Sequence, residues 1–183
     1  MSIYSLVRSA VRKVAVKCLE EFFPTSTQQN SGVIFSHSNG TEPNKPYVTV
    51  NILNVEQQGH GSTSSLTNPD KELSVNASYE VMVQYSFFGS TAGEMAMHFN
   101  QRINNNPVVL EEAARNKLGF MRKSQLRRNP QKRDTQWIDS YNMDVTYSYI
   151  ANTQQIVDVI EVAIMEDVLT GDVFTVPPGI VLP

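Results

Sequence analysis

Apolar residues recur at three- and four-residue steps through Ile3, Leu6, Val7, Ala10, Val11, Val14, Cys18, Leu19 and Phe22, while Arg8, Arg12, Lys13 and Lys17 mostly lie off that stripe. A stripe of this period predicts an amphipathic helix with one face turned to a core. Ser2 offers an N-cap oxygen, and Pro24 stops the helix because it lacks an amide hydrogen and restricts the residue before it. The polar segment from Thr25 to Gly32 reads as a linker, followed by a short apolar run, Val33 to Phe35, and by turn chemistry at Asn39-Gly40, Pro43 and Pro46. The period then changes to two. Tyr47 to Val55 is rich in β-branched residues, and Ser74 to Phe88 sets Tyr79, Val81, Val83, Tyr85 and Phe87 on one face, so two strands are expected to pair antiparallel. Between them, Gly59 to Asp70 carries one large apolar residue, Leu66, and reads as a projecting mobile loop.

Thr91 and Glu94 have the spacing of a capping box and open a second helix, with Met95, Phe99 and Ile103 on one side. A third helix follows from Pro107, which suits a first helical position after Asn106, and Gly119 suits a left-handed position beyond its end. The chain then runs into an extended basic segment. Tyr141, Met143, Val145, Tyr147 and Tyr149 alternate with Asn142, Asp144, Thr146 and Ser148, the pattern of a half-buried strand, and a turn near Asn152 leads to another strand from Ile156 to Met165. Val168 to Pro183 has no core pattern and reads as an extended tail, with disorder or an arm on a neighbour as its two alternatives. Helix, strands, two helices and strands in that order predict an α+β domain over residues 1–167, an antiparallel sheet flanked by the N-terminal helix and a central helix pair, with residues 168–183 as a tail.

Charge changes this picture more than composition does. The chain has 183 residues, 40% apolar and 18% charged, against about 25% charged in ordinary domains, and its length supports one core that removes about 70% of the unfolded surface from water. Cys18 stands alone, which excludes an internal disulfide and a thiolate zinc cluster and fits a cytosolic origin. No run approaches the roughly eighteen apolar residues of a membrane span, and no signal peptide is recognisable. Eight of the fifteen Lys and Arg residues fall between Arg115 and Arg133 with no acid among them, whereas residues 134–183 hold eight acids and no Lys or Arg. Arg122, Lys123, Arg127, Arg128, Lys132 and Arg133 are therefore candidates for a protein- or DNA-facing surface, and Asp134, Asp139, Asp144, Asp158 and Glu161 for its acidic complement. Two different complementary patches on one chain make a head-to-tail contact, which generates a ring when its rotation closes.

Catalytic chemistry finds little purchase. His37, His60 and His98 lack metalloprotease spacing, and Gly59-His60-Gly61 lacks the third glycine and following helix of a phosphate cradle. Gly89-Ser90-Thr91-Ala92-Gly93 resembles a nucleophile elbow, but His98 seven residues on would share Thr91's helix and have no reach back to it, so a helix cap is the better reading. Glu111-Glu112 and Glu166-Asp167 are neighbours in sequence and read as solvated charge, not a glycosidase pair. No catalytic, cofactor or metal residue is assigned. A non-specific DNA-binding module over residues 115–133 is the alternative for the basic stretch, although Phe120 is the only aromatic within it and no stacking platform alternates with the charges.

Asn39-Gly40, Pro43, Pro46-Tyr47-Val48-Thr49, the strand from Ser74 to Phe87, the helix after it, and Trp137 ahead of Asp144-Val145-Thr146-Tyr147-Ser148-Tyr149 together resemble the bacteriophage neck or tail terminator proteins, over roughly residues 3–165. The resemblance implies an α+β fold and a virion structural protein made in the bacterial host cytoplasm, with no enzymatic activity and no cofactor. It further implies a ring of copies, commonly a hexamer, between the tail-tube protein and the head connector, leaving a pore for genomic DNA. The sheath is a further candidate partner, and no membrane contact is implied. Another neck or baseplate component is the alternative within the same class. Residues 168–183 extend beyond the last strand expected for the family.

Overall fold

The computed structural model describes residues 2–37, 41–63, 72–133, 135–156, 163–166 and 173–176. The chain divides into two compact units, one of Met1–Gly61 with Ala77–Ala151 and a second of Ser62–Asn76 with Asn152–Pro183.

In the first unit, helix α1 (Ile3–Cys18) starts where the sequence predicts, with Ser2 Oγ accepting from the Ser5 N–H at 3.2 Å. It buries Val7, Ala10, Val11, Val14, Ala15 and Cys18. The helix ends before Pro24 is reached: the Leu19 N–H closes onto Ala15 and Val16, and Phe22 and Phe23 turn back onto the Leu19 carbonyl. Leu19 and Phe23 remain buried, so the apolar pattern outlasts the helix because periodicity reports burial and not hydrogen bonding.

The expected linker is instead a second helix, α2 (Ser26–Gly32). A reciprocal capping box holds it, the Gln28 N–H donating to Thr25 Oγ1 at 3.3 Å and the Thr25 N–H to Gln28 Oε1 at 3.2 Å. Arg12 secures the far end by donating to the Gln29 and Val33 carbonyls and to Asn30 Oδ1, an arrangement that satisfies carbonyls left open at a helix C-terminus. With almost no apolar side chain of its own, α2 leaves no stripe in the sequence.

The main sheet has the order β1-β2-β3-β8-β4, with β5 also paired to β8, and is mostly antiparallel. Its strands are β1 (Val33–Phe35), β2 (Tyr47–Thr63), β3 (Glu72–Phe88), β4 (Leu118–Lys123), β5 (Arg127–Arg128) and β8 (Ser140–Ile156). Strand β1 departs from the antiparallel expectation and lies parallel to β2, with Val33 opposite Val48. Both long strands outrun their predicted ends. β2 continues through Gly59 to Thr63, where a projecting loop is expected, and residues 64–70 of that loop lie outside the described residues.

Helices α3 (Ala92–Arg102) and α4 (Pro107–Arg115) are the predicted central pair. Asn106 caps α4 by accepting from the Val108 and Val109 N–H groups, with Pro107 at the first position. Two local expectations fail. Thr91 makes no cap bond; its φ of −98° and ψ of 11° lie outside the extended region that aims a cap oxygen at the helix amides, and its buried Oγ1 has no partner among the described residues. The left-handed residue after α4 is Lys117, with φ 59°, and not Gly119. Gly119 sits in β4 opposite Ser148, where a Cβ would lie 2.5 Å from Ser148 Oγ, so the glycine permits close strand approach.

The core joins Val7, Val11 and Val14 of α1, Met95 and Phe99 of α3 and Val109 of α4 to Val48, Val50, Val81, Val83, Tyr85, Phe87, Met143, Val145, Tyr147 and Tyr149 of the sheet. The alternation in β3 and β8 is borne out by this burial. At its centre the Tyr85 and Tyr147 hydroxyls meet at 2.9 Å, fully buried, and Tyr85 packs on Phe99 at 4.6 Å between ring centroids. Burial pushes both phenols and the Cys18 thiol upward from their ordinary pKa values.

In the second unit, β9 (Ala163–Glu166) and β10 (Val173–Val176) form an antiparallel pair, with Ala163 opposite Val176. Residues 173–176, inside the segment read as an extended tail, form the second strand of this pair. β8 runs past Asn152 to Ile156 with no turn there, Asn152 Nδ2 donating to Asn76 Oδ1 at 2.8 Å.

Two measurements follow from the core. Tyr147→Phe strands the Tyr85 hydroxyl and lowers stability by about 1–3 kcal/mol in urea titration, and the Tyr85→Phe/Tyr147→Phe double variant recovers most of that loss. The raised Cys18 and tyrosine pKa values mean that the unfolded chain sheds these protons first as pH rises. Stability is therefore at its full value below the ordinary thiol range and falls above about pH 8.5–9, by up to about 1.4 kcal/mol per pH unit for each group titrating in the unfolded state. Cys18→Ala removes the onset near pH 9 and leaves the tyrosine-driven fall above about pH 10.

Candidate functional site

After β4 the chain makes a short excursion and returns to the same partner strand. The Ser124 N–H donates to the Asp144 carbonyl at 2.8 Å and the Asp144 N–H to Ser124 Oγ at 2.9 Å. Arg127 and Arg128 then pair with Asn142 and Tyr141. The Asn129 N–H donates to the Ser140 carbonyl at 2.8 Å, while buried Ser140 returns its hydroxyl to the Asn129 carbonyl. Beyond this clasp, β6 (Gln131–Arg133) and β7 (Gln136–Ile138) form a two-stranded ribbon with Lys132 opposite Trp137.

This antiparallel return places basic and acidic segments side by side. Arg127 Nη2 lies 2.7 Å from Asp144 Oδ2, and Gln84 donates to the other oxygen of the same carboxylate at 3.2 Å. Arg128 holds Asp139 through Nε at 3.0 Å and Nη2 at 2.9 Å. Arg122 meets Glu80 of β3 at 2.8 Å. Asp139 and Asp144, two of the expected acidic complement, are engaged by arginines of their own chain, because strands that are neighbours in the sheet bring opposite charges within reach whatever their separation in sequence. The arginine side chains still keep 63–66% of their surface open, so the basic face is partly neutralised without being hidden.

Lys123 points to a helix. Its ammonium reaches the end of α3, donating to the Asn100 carbonyl at 2.6 Å and to Asn104 Oδ1 at 2.9 Å, and partial burial lowers its pKa. That is a structural tie. Lys132 is exposed; Arg133 pairs through its backbone with Gln136. The Arg133 side chain and Asp134, Asp158 and Glu161 lie outside the described residues.

The same return brings an aromatic residue to the basic stretch. Trp137, 68% exposed, lines a cleft of about 380 Å³ with Arg128, Pro130 and Asp139. Arg128 also borders a polar cleft of about 310 Å³ with Gln84, Arg127, Asn129 and Asn142, and the buried Asn142 Oδ1 has no hydrogen-bond partner among the described residues. The sequence signal for this site is the solitary tryptophan just beyond the basic run; only the ribbon's register shows that it faces Lys132.

A second network escapes the sequence entirely. Arg102 of α3 bridges Glu20 at 3.2 Å and Glu21 at 2.6 Å, beside His98 and Lys17. The Lys17 hydrogen bond holds the Glu20 carboxyl below its usual range, against opposing desolvation. It ties α3 to the turn after α1. Among the described residues, no group of three or more His, Cys, Asp or Glu is placed to hold a metal ion, and no helix is long and apolar enough to cross a membrane.

An α+β fold with a mostly antiparallel main sheet thus presents exposed ion pairs beside an exposed tryptophan. The family described as phage neck terminator protein matches residues 1–172, and the chain belongs to that family. It is a structural component of the phage neck, as the resemblance implied. No curated protein matches the chain.

The two kinds of basic residue separate by stability. Lys123→Ala leaves the Asn100 carbonyl without its charged donor and costs about 1–3 kcal/mol in urea titration. Arg127→Ala costs at most about 1 kcal/mol because an exposed pair contributes little, and Arg128→Ala leaves the unfolding midpoint unchanged.

Proposed function

We propose that copies of this chain close into a ring at the phage neck that caps the tail tube, joins it to the head connector and leaves a passage for DNA. The match to the neck terminator family over residues 1–172 carries this reading. The role asks for rigidity and surface complementarity, not bond chemistry, so no cofactor or catalytic group enters it. Arg122, Arg127, Arg128 and Lys132, with whichever of Asp134, Asp139, Asp144, Asp158 and Glu161 face outward, form the charged part of the contact. Their partial neutralisation within the chain means that they fix register and exclude wrong partners more than they supply affinity.

In phage assembled without this protein, tail tubes are expected to overrun their normal length and heads to remain unjoined in electron micrographs. Joined particles with tails of normal length would sink the proposal. A label at the distal tail tip would instead assign the chain to the baseplate.

Exposure of the three arginines also supports a DNA-facing surface, although a carboxylate within 3.0 Å of each weakens their pull on phosphate. If that reading holds, Arg127→Ala/Arg128→Ala weakens duplex binding across sequences and flattens its salt dependence. Unchanged binding assigns the surface to protein.

A further inference from the structure

Trp137 is the chain's only tryptophan, and it keeps 68% of its surface open within a single chain. Its surroundings are selective. Pro130 and the indole make an apolar wall; Arg128 and the Asp139 it holds complete the lining, and Lys132, opposite Trp137 in the ribbon, adds a second cation beside it. Indole faces flanked by such groups suit proline rings, which pack flat against aromatics and arrive with little conformational entropy to lose. The cations favour a segment that carries acids and no bases.

One stretch of this chain has that composition. From Ala163 to Pro183 there is no Lys or Arg; Glu166, Asp167 and Asp172 precede Pro177-Pro178, and Ile180, Val181, Leu182 and Pro183 follow. The neck role described above leaves this segment without an assignment. We propose that the cleft of Trp137, Pro130 and Arg128 receives the Pro177-Pro178 segment of a second copy, its preceding acids steered by Arg128 and Lys132. The inference rests on the assembly reading. It goes beyond it by naming which surface and which segment join neighbouring copies.

The lone tryptophan makes the test direct. A full-length Trp137→Ala chain supplies the segment and emits no indole fluorescence; a full-length Pro177→Ala/Pro178→Ala chain supplies the cleft and does. Mixing the two is expected to shift Trp137 emission to the blue, saturably, and to protect it from acrylamide. Arg128→Ala in the emitting chain weakens the effect about tenfold, the scale of an interface anchor. Far-UV circular dichroism checks that each variant is folded, and a synthetic peptide of residues 166–183 added to the emitting chain repeats the measurement independently of the segment-donor variant.

Unchanged emission in both experiments overturns the proposal, and if the parent protein still sediments as a closed oligomer the ring reading survives without it. A parent emission blue-shifted at a dilution where the protein sediments as a monomer indicates a contact within one chain and also overturns it. So does a shift produced by a single-stranded oligonucleotide at lower concentration than by the peptide.

Discussion

Strand β8 is the constraint on which the site depends, because the basic segment reaches it twice. β4 lies along it first, the chain swings out through Ser124, and β5 then pairs further along the same strand. The two faces of β8 serve two purposes. Met143, Val145, Tyr147 and Tyr149 fill the core, while Asp144 meets Arg127, and Thr146 takes a long contact from Arg122. A one-residue slip in this pairing would exchange those faces, burying a carboxylate and exposing the tyrosines. The hydrophobic set that fixes the core therefore also fixes where the charges stand.

The helices constrain the sheet from the core side. α1 packs mainly on α4 and less on α3, and its successor turn is tied to α3 through Arg102, Glu20 and Glu21. The Tyr85 and Tyr147 hydroxyls satisfy each other in the middle of this layer, so two phenols are buried without a stranded polar group. On the other face of β3 and β8, Gln84, Asn142 and Asp144 remain partly accessible. This face of the sheet is a hydrogen-bonded polar surface.

Neck function fits a surface of this kind. Exposed ion pairs add little stability but penalise misaligned partners, while in the proposed contact Trp137 is an apolar anchor whose affinity salt does not screen. Charges for register and an aromatic residue for adhesion are complementary tools for an assembly that must stop at one defined place.

The sequence by itself determined the elements whose signals are local and repeated: the stripe of α1, the alternation of β3 and β8, and the Asn106-Pro107 start of α4. It also pointed to the family. It was misleading where a local pattern had two readings. Thr25-x-x-Gln28 capped a real helix that lacked an apolar stripe, whereas Thr91-x-x-Glu94, with the same spacing, made no cap because its backbone turned elsewhere. Gly119 read as a helix stop and is instead the place where β4 approaches Ser148. The charge segregation was plain in the sequence, but only the tertiary structure showed which of those charges meet within the chain. Pairing of β5 with β8, and the turn that leads to it, joined Arg127 to Asp144 and Arg128 to Asp139 and set Trp137 beside them. Sequence distance measures contour along the chain, and electrostatics acts through space.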